Sequence, residues 1–252
     1  MKNFLLIVPV FLLIACNVFA GTSDSSAVVK RNSVLVIPYR PAMHFSDTDT
    51  DISSGSEMNV SEMRAILRSG IIKELNKKFA EVYDVKGLKN DFVMDNNTDV
   101  EALYHAVYFG SDSVYPLKDP ERFAVKDTSR EKKSTTKKPS KIKPETTYIN
   151  VGVYDKELIP DLAEKQEADY IIFLNEIDIN THFDDCLNLA LKIYRRDLKV
   201  HYTIFDKRGK QVYGDVAVSH FGSNSNDVNE IMEKNFPGIA DYILASFDRA
   251  TK

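Results

Sequence analysis

Six apolar residues, Val60, Met63, Leu67, Ile71, Leu75 and Phe79, recur at intervals of three and four. Glu62, Arg64, Arg68, Lys73, Lys77 and Lys78 mostly occupy the faces between them. That spacing predicts an amphipathic helix of about five turns with one continuous apolar stripe, which must be buried against another layer. Asn59 is placed as its N-cap, with Glu62 three residues on as the capping-box partner. Lys77 and Lys78 suit the negative end of the helix dipole. The helix follows Ser33-Val34-Leu35-Val36-Ile37-Pro38-Tyr39, a short apolar run that reads as a buried strand closed by proline. A chain that begins strand then long amphipathic helix is constrained to a layered α/β body.

The rest of the pattern agrees. Between them, Arg40 to Glu57 reads as a polar loop. Val100 to Tyr108 reads as a short helix, Tyr148 to Val153 as a short strand, and Asp155 to Glu167 as a helix interrupted near its start by Pro160. Asp169 to Ile179 begins wholly apolar and then alternates, as a buried strand emerging at an edge would. Leu198 to Phe205 and Gln211 to Val218 alternate on either side of Asp206-Lys207-Arg208-Gly209-Lys210, a hairpin with the glycine its turn needs. Val228, Ile231, Met232, Phe236, Ile239, Ile243 and Phe247 predict a final amphipathic helix, with Pro237-Gly238 kinking or splitting it. The expectation is an α/β fold: a two-layer sandwich, with a mixed sheet and the long N-terminal and C-terminal helices on one face.

The first sixteen residues carry a different message. Lys2 precedes the apolar run Phe4 to Ala15, the layout of an export signal. The run is too short for a comfortable transmembrane helix and contains Pro9. Leu13-Ile14-Ala15-Cys16 resembles the lipobox of bacterial lipoproteins. That resemblance implies cleavage before Cys16 and a diacylglycerol on its sulfur. Val18-Phe19-Ala20 before Gly21 offers a competing, ordinary signal-peptidase site, which would discard Cys16. Two or three acyl chains hold a protein firmly on a membrane. The expected organisation is a signal peptide at 1–15, the lipidated cysteine and a flexible tether at 16–32, and one α/β domain at 33–252. Asn17 is not the aspartate that retains many enterobacterial lipoproteins in the inner membrane, so the resemblance leans towards the outer membrane, at its periplasmic face or surface.

Within the domain, residues 126–143 hold eight basic side chains against two acidic ones. Ile142 is the single large aliphatic residue in that run, so a mobile basic insertion is expected at about 126–146. Lys132, Lys133, Lys137 and Lys138 are its candidate contacts to an anionic partner, against the plainer reading of a solvated loop. The whole chain has a net charge of -4, which argues against a dedicated nucleic-acid binder. Cys186 has no second cysteine to pair with once Cys16 is lipidated, and reads as a buried, inert thiol.

Ser33 to Phe79 together with Ala168 to Phe247 resembles the small domain shared by the TolB amino-terminal region and the curli-secretion lipoprotein. In those proteins a strand ending in Pro-Tyr or Pro-Phe leads to a long helix. An Ala-Asp-Tyr strand then leads into a hairpin and a terminal helix. The resemblance implies an envelope lipoprotein with a protein-binding domain. The basic insertion and the missing β-propeller depart from it.

Chemistry-bearing motifs are sparse. His44, Asp47, Asp49, Asp51 and Glu57 begin like a calcium loop. However, Ile52 stands where the loop glycine belongs, and Glu57 falls one residue early. Asp47, Asp49, Asp51 and Glu57 remain the candidate metal ligands, beside the reading of an acidic stretch favouring the dipole of the following helix. His201 and His220 sit in the two hairpin strands and could face each other, with ordinary cross-strand packing as the favoured reading over a shared site. No zinc spacing, nucleophile elbow or phosphate loop is present, and no cofactor is expected. The expected function is a non-enzymatic binding or assembly module of the cell envelope, with a membrane reached through the lipid and an envelope protein as partner. The alternatives are a metal-dependent hydrolase using residues 44–57, or a small-ligand or lipid carrier with a cleft beside the sheet.

Overall fold

The computed structural model describes residues 31–87, 98–113 and 147–251. Cys16, the signal, the tether up to residue 30, and Lys132, Lys133, Lys137 and Lys138 lie outside the described residues. The fold is mixed α/β. Its main sheet has the order β3-β1-β6-β7-β8, built from Asp84–Lys86, Ser33–Ile37, Tyr170–Asn188, Ile193–Asp206 and Gln211–Gly222. β1 runs parallel to both β3 and β6, whereas β6, β7 and β8 are antiparallel neighbours. β2 (His44–Ser46) pairs parallel with β6 at 177–179, further along the flank that β1 occupies at 170–173.

Two long helices cover one face of this sheet. α2 (Val60–Ala80) turns Met63, Leu67, Ile71, Leu75 and Phe79 inward, all fully buried. α5 (Val228–Thr251) contributes Ile231, Phe236, Ile239, Ile243 and Phe247 to the same core. The expected capping box closes α2: the Glu62 amide donates to Asn59 Oδ1 at 2.9 Å, and Glu62 reaches back to the Asn59 amide. α5 is not split at Pro237. One helical hydrogen bond is lost there, but Phe236 before the proline and Ile239, Ala240 and Ile243 after it sit in one core, and the helix runs on unbroken.

The opposite face is covered over part of its extent. α3 (Thr98–His105), α4 (Leu158–Gln166) and a two-stranded antiparallel ribbon, β4 (Val107–Ser113) with β5 (Thr147–Val153), pack there. Leu35, Ile37, Ile171, Phe173 and Phe205 of the sheet meet Val100, Leu103, Val151, Ile159 and Ala163 in a second core. Tyr148 of β5 lies across Gly214 of β8, where an added Cβ would come within 2.0 Å of the tyrosine hydroxyl.

Three sequence expectations need correction. Residues 40–57 are not a loop: they hold a 3-10 turn (Pro41–Met43), β2 and a short helix, α1 (Asp49–Gly55). β6 does not emerge at an edge. It is 19 residues long, lies between β1 and β7, and runs on through residues 180–188 as half of a long hairpin. Polar residues in that half pair with one another across the hairpin, which hides the strand from a hydrophobicity pattern. His201 stands opposite Val216, and His220 opposite Asp197, so the two histidines do not face each other.

Candidate functional site

A single extra residue in β6 creates the most unusual site. Ile172 and Leu174 point to the α2–α5 core, and so do Ile177 and Ile179. A regular strand alternates faces and cannot do both. The register slips between Leu174 and Glu176, with Asn175 as a β-bulge. The bulge turns Glu176 and Asp178 onto the opposite face, beside His201 of β7, which pairs with Glu176 in the ladder. Asn175 is fully buried, and its amide donates to the Ile149 carbonyl at 2.6 Å and to Thr203 Oγ1 at 2.8 Å. Thr203 in turn donates to Asn150 Oδ1 at 2.7 Å. Side chains of the bulge thus stitch β5 across the sheet.

Glu176, Asp178 and His201 are the one group of three carboxylate or imidazole ligand atoms within 4.8 Å of one another among the described residues. His201 Nε2 lies 3.4 Å from Asp178 and 3.9 Å from Glu176. Burial, the Asp178 charge and a hydrogen bond with Asp178 push the Glu176 carboxyl up to about 7. Glu176 therefore keeps its proton into the neutral range. The Ile149 amide donates to His201 Nδ1 at 3.0 Å, so Nδ1 is an acceptor and Nε2 carries the ring proton. Metal-bound imidazoles do the reverse, donating from the free nitrogen to a backbone or carboxylate oxygen. The donor set consequently suits a stored proton better than a cation.

The acidic residues singled out in the sequence are not brought together. Asp47 accepts from the Thr181 amide at 3.0 Å, tying β2 to β6. Asp49 takes His44 Nε2 at 3.1 Å and the Arg64 guanidinium at 2.5 Å. Burial works to raise the Asp49 carboxyl, but His44 and Arg64 outweigh it and hold it below the ordinary aspartate value. Asp51 accepts from Arg196 Nη2 at 2.6 Å. Glu57 is exposed, at a left-handed backbone position (φ 54°) between α1 and α2. Each carboxylate has gone to a separate structural duty, so residues 44–57 form no cation cage and give a metal-dependent hydrolase no support.

A further polar knot sits where the sheet narrows to the β6–β7 hairpin. Asp197 meets His220 Nδ1 at 2.7 Å, His182 Nε2 at 2.8 Å and Arg195 Nε at 3.2 Å. Burial would raise its carboxyl, yet the His220 hydrogen bond and the surrounding positive charge hold it below the usual range. β8 ends at Gly222 opposite Arg195, so beyond this knot the hairpin continues as two strands alone. Cys186 lies on that projection, half-buried rather than enclosed, and opposite Tyr194.

Sequence reasoning missed Glu176 and Asp178, and set His201 against His220 rather than against them. The available signal was Glu-x-Asp inside an otherwise apolar strand, where two carboxylates are costly unless something shares their charge. Compared with known proteins, the chain matches no family model and no curated protein.

Proposed function

We propose that this protein is a bacterial cell-envelope lipoprotein whose α/β domain is a non-enzymatic binding or assembly module. Acyl chains on Cys16 anchor it, most simply to the outer membrane, and the tip of the β6–β7 hairpin meets its protein partner. The observation that carries this reading is the tip itself. Phe183, Leu187, Leu189 and Leu191 are 72, 46, 84 and 69% exposed, clustered on one two-stranded projection. Large apolar side chains gathered at one exposed place mark an interaction surface. Asp184 and Asp185 in the same projection oppose insertion into anionic lipid and favour a protein surface. The lipobox-like Leu13-Ile14-Ala15-Cys16 and the resemblance to the TolB-type domain supply the location. Lys132, Lys133, Lys137 and Lys138 are then the contacts to an anionic neighbour.

Two measurements in living bacteria test the reading. Alkyne-palmitate feeding should label the wild-type chain and not Cys16→Ser. An unlabelled mature protein beginning at Gly21 would refute the anchor. A photocrosslinking residue at Leu189 should give one discrete protein adduct, and the same residue at exposed Glu101 should not. Absence of any adduct at Leu189 would refute the docking role of the tip.

A further inference from the structure

β5 lies across the main sheet without joining its backbone ladder. Ile149 fastens it from both ends of one residue. Its carbonyl accepts from Asn175 Nδ2 at 2.6 Å, and its amide donates to His201 Nδ1 at 3.0 Å. Thr203 Oγ1 adds a bond to Asn150 Oδ1 at 2.7 Å. Amide and hydroxyl groups do not titrate in this setting, so of these three bonds only the one to His201 can be changed by a proton.

The Ile149 amide occupies the Nδ1 lone pair, which places the ring's own proton on Nε2. A second proton can enter only at Nδ1. The imidazolium that forms has two donors and no acceptor. It would meet the Ile149 amide donor to donor, so a charged ring and the Ile149 bond exclude each other. The amide must then turn to water, because a donor left unpaired against the sheet is costly.

The groups around the ring are few. From β6, Asp178 and Glu176 lie 3.4 and 3.9 Å from Nε2. On β7, Lys199 stands two residues before His201 and opposite Asp178. β8 presents Val216 opposite His201. β5 presents the Ile149 backbone, and the neighbouring Tyr148 hydroxyl accepts from Gln211 Nε2 at 2.8 Å. Asp178, with Glu176 beside it, is placed to pair with the ring once it is charged.

We infer that β5 is a proton-released strap: uptake of a proton at His201 Nδ1 breaks the Ile149 fastening and frees residues 147–150, baring the sheet around the Asn175 bulge. Imidazole chemistry makes mild acid the trigger. The device is separate from the hairpin tip and does not depend on the envelope reading. Glu176 keeps its own proton over the same range and biases the whole fold the other way, so the informative readout is local exchange rather than melting.

Nuclear magnetic resonance on the full mature chain tests it. At pH 8 the nitrogen shifts of the His201 ring should show a bare Nδ1 and a protonated Nε2, with the Ile149 amide protected from exchange. At pH 5, after correction for the intrinsic pH dependence of exchange, Ile149 protection should fall about tenfold or more, the equivalent of one hydrogen bond. Leu67 and Ile71 of α2 should keep theirs. His201→Asn, which offers a carbonyl oxygen near the place of Nδ1 and cannot titrate, should keep Ile149 protected at both pH values. A protonated Nδ1 at pH 8, equal Ile149 protection at pH 8 and pH 5, or an equal loss in His201→Asn would each overturn the strap. So would parallel loss in α2, which would make the change global.

Discussion

Glu176 shows how one side chain can tie stability to pH. In the folded protein its carboxyl stays protonated up to about pH 7, against 4.5 for an unperturbed glutamate. Between those values the folded chain holds more protons than the unfolded one, so stability falls as pH rises from about 4.5 through about 7. The contribution is complete below the unfolded value and lost above the folded one. Its upper bound is about 3 kcal/mol. A melting temperature lower by roughly 2–6 °C at pH 8 than at pH 5 is expected. Glu176→Gln, a neutral mimic of the protonated acid, should flatten most of that difference and stabilise the protein at pH 8. The same slope in wild type and Glu176→Gln would place the linkage elsewhere. Asp49 and Asp197 work in the opposite sense. Both are held low, so their stabilisation is present above the ordinary aspartate value and disappears as pH falls through their folded values.

At the scale of an element, the decisive device is the bulge in β6. Asn175 is one residue, but it sets the phase of everything after it. If the strand ran regularly through Asn175, Glu176 and Asp178 would lie under α2 and α5, and Ile177 and Ile179 would turn outward. Burying an unpaired carboxylate costs several kcal/mol per ion. Inserting one residue directly after Asn175 would put Glu176 and Asp178 under the helices and should therefore abolish soluble, cooperative folding, whereas Asn175→Ser keeps the register and should retain a melting transition. An insertion variant melting like wild type would mean that the strand absorbs a second extra residue. The bulge also explains a misreading of the sequence. A strand that changes phase in mid-course shows a clean alternation only in halves, and the second half looks like an edge.

At the scale of the molecule, β5 attaches the second layer to the main sheet. That strand crosses β7 and β8 without a backbone ladder, held by Asn175, Thr203, His201 and the Tyr148–Gly214 contact. Gly214→Val should displace Tyr148 at a cost of about 1–3 kcal/mol. Hydrogen exchange should then rise at 147–153 while α2 stays protected. Uniform loss of protection would mean that the two layers unfold as one.

The sequence by itself determined the α2 stripe and cap, the buried β1, the β7–β8 hairpin and the final helix. Each is a local periodicity or a contact within a few residues, and such signals survive without knowledge of the fold. It also carries Leu13-Ile14-Ala15-Cys16, on which the proposed membrane anchor rests. Only tertiary structure decided which acids meet. Asp47, Asp49 and Asp51 lie close in sequence, but the fold sent them to Thr181, Arg64 and Arg196. Glu176 and His201 are far apart in the chain and became neighbours through one bulge and one strand pairing. Charge is satisfied by whatever partner the packed chain brings near, and that choice is global.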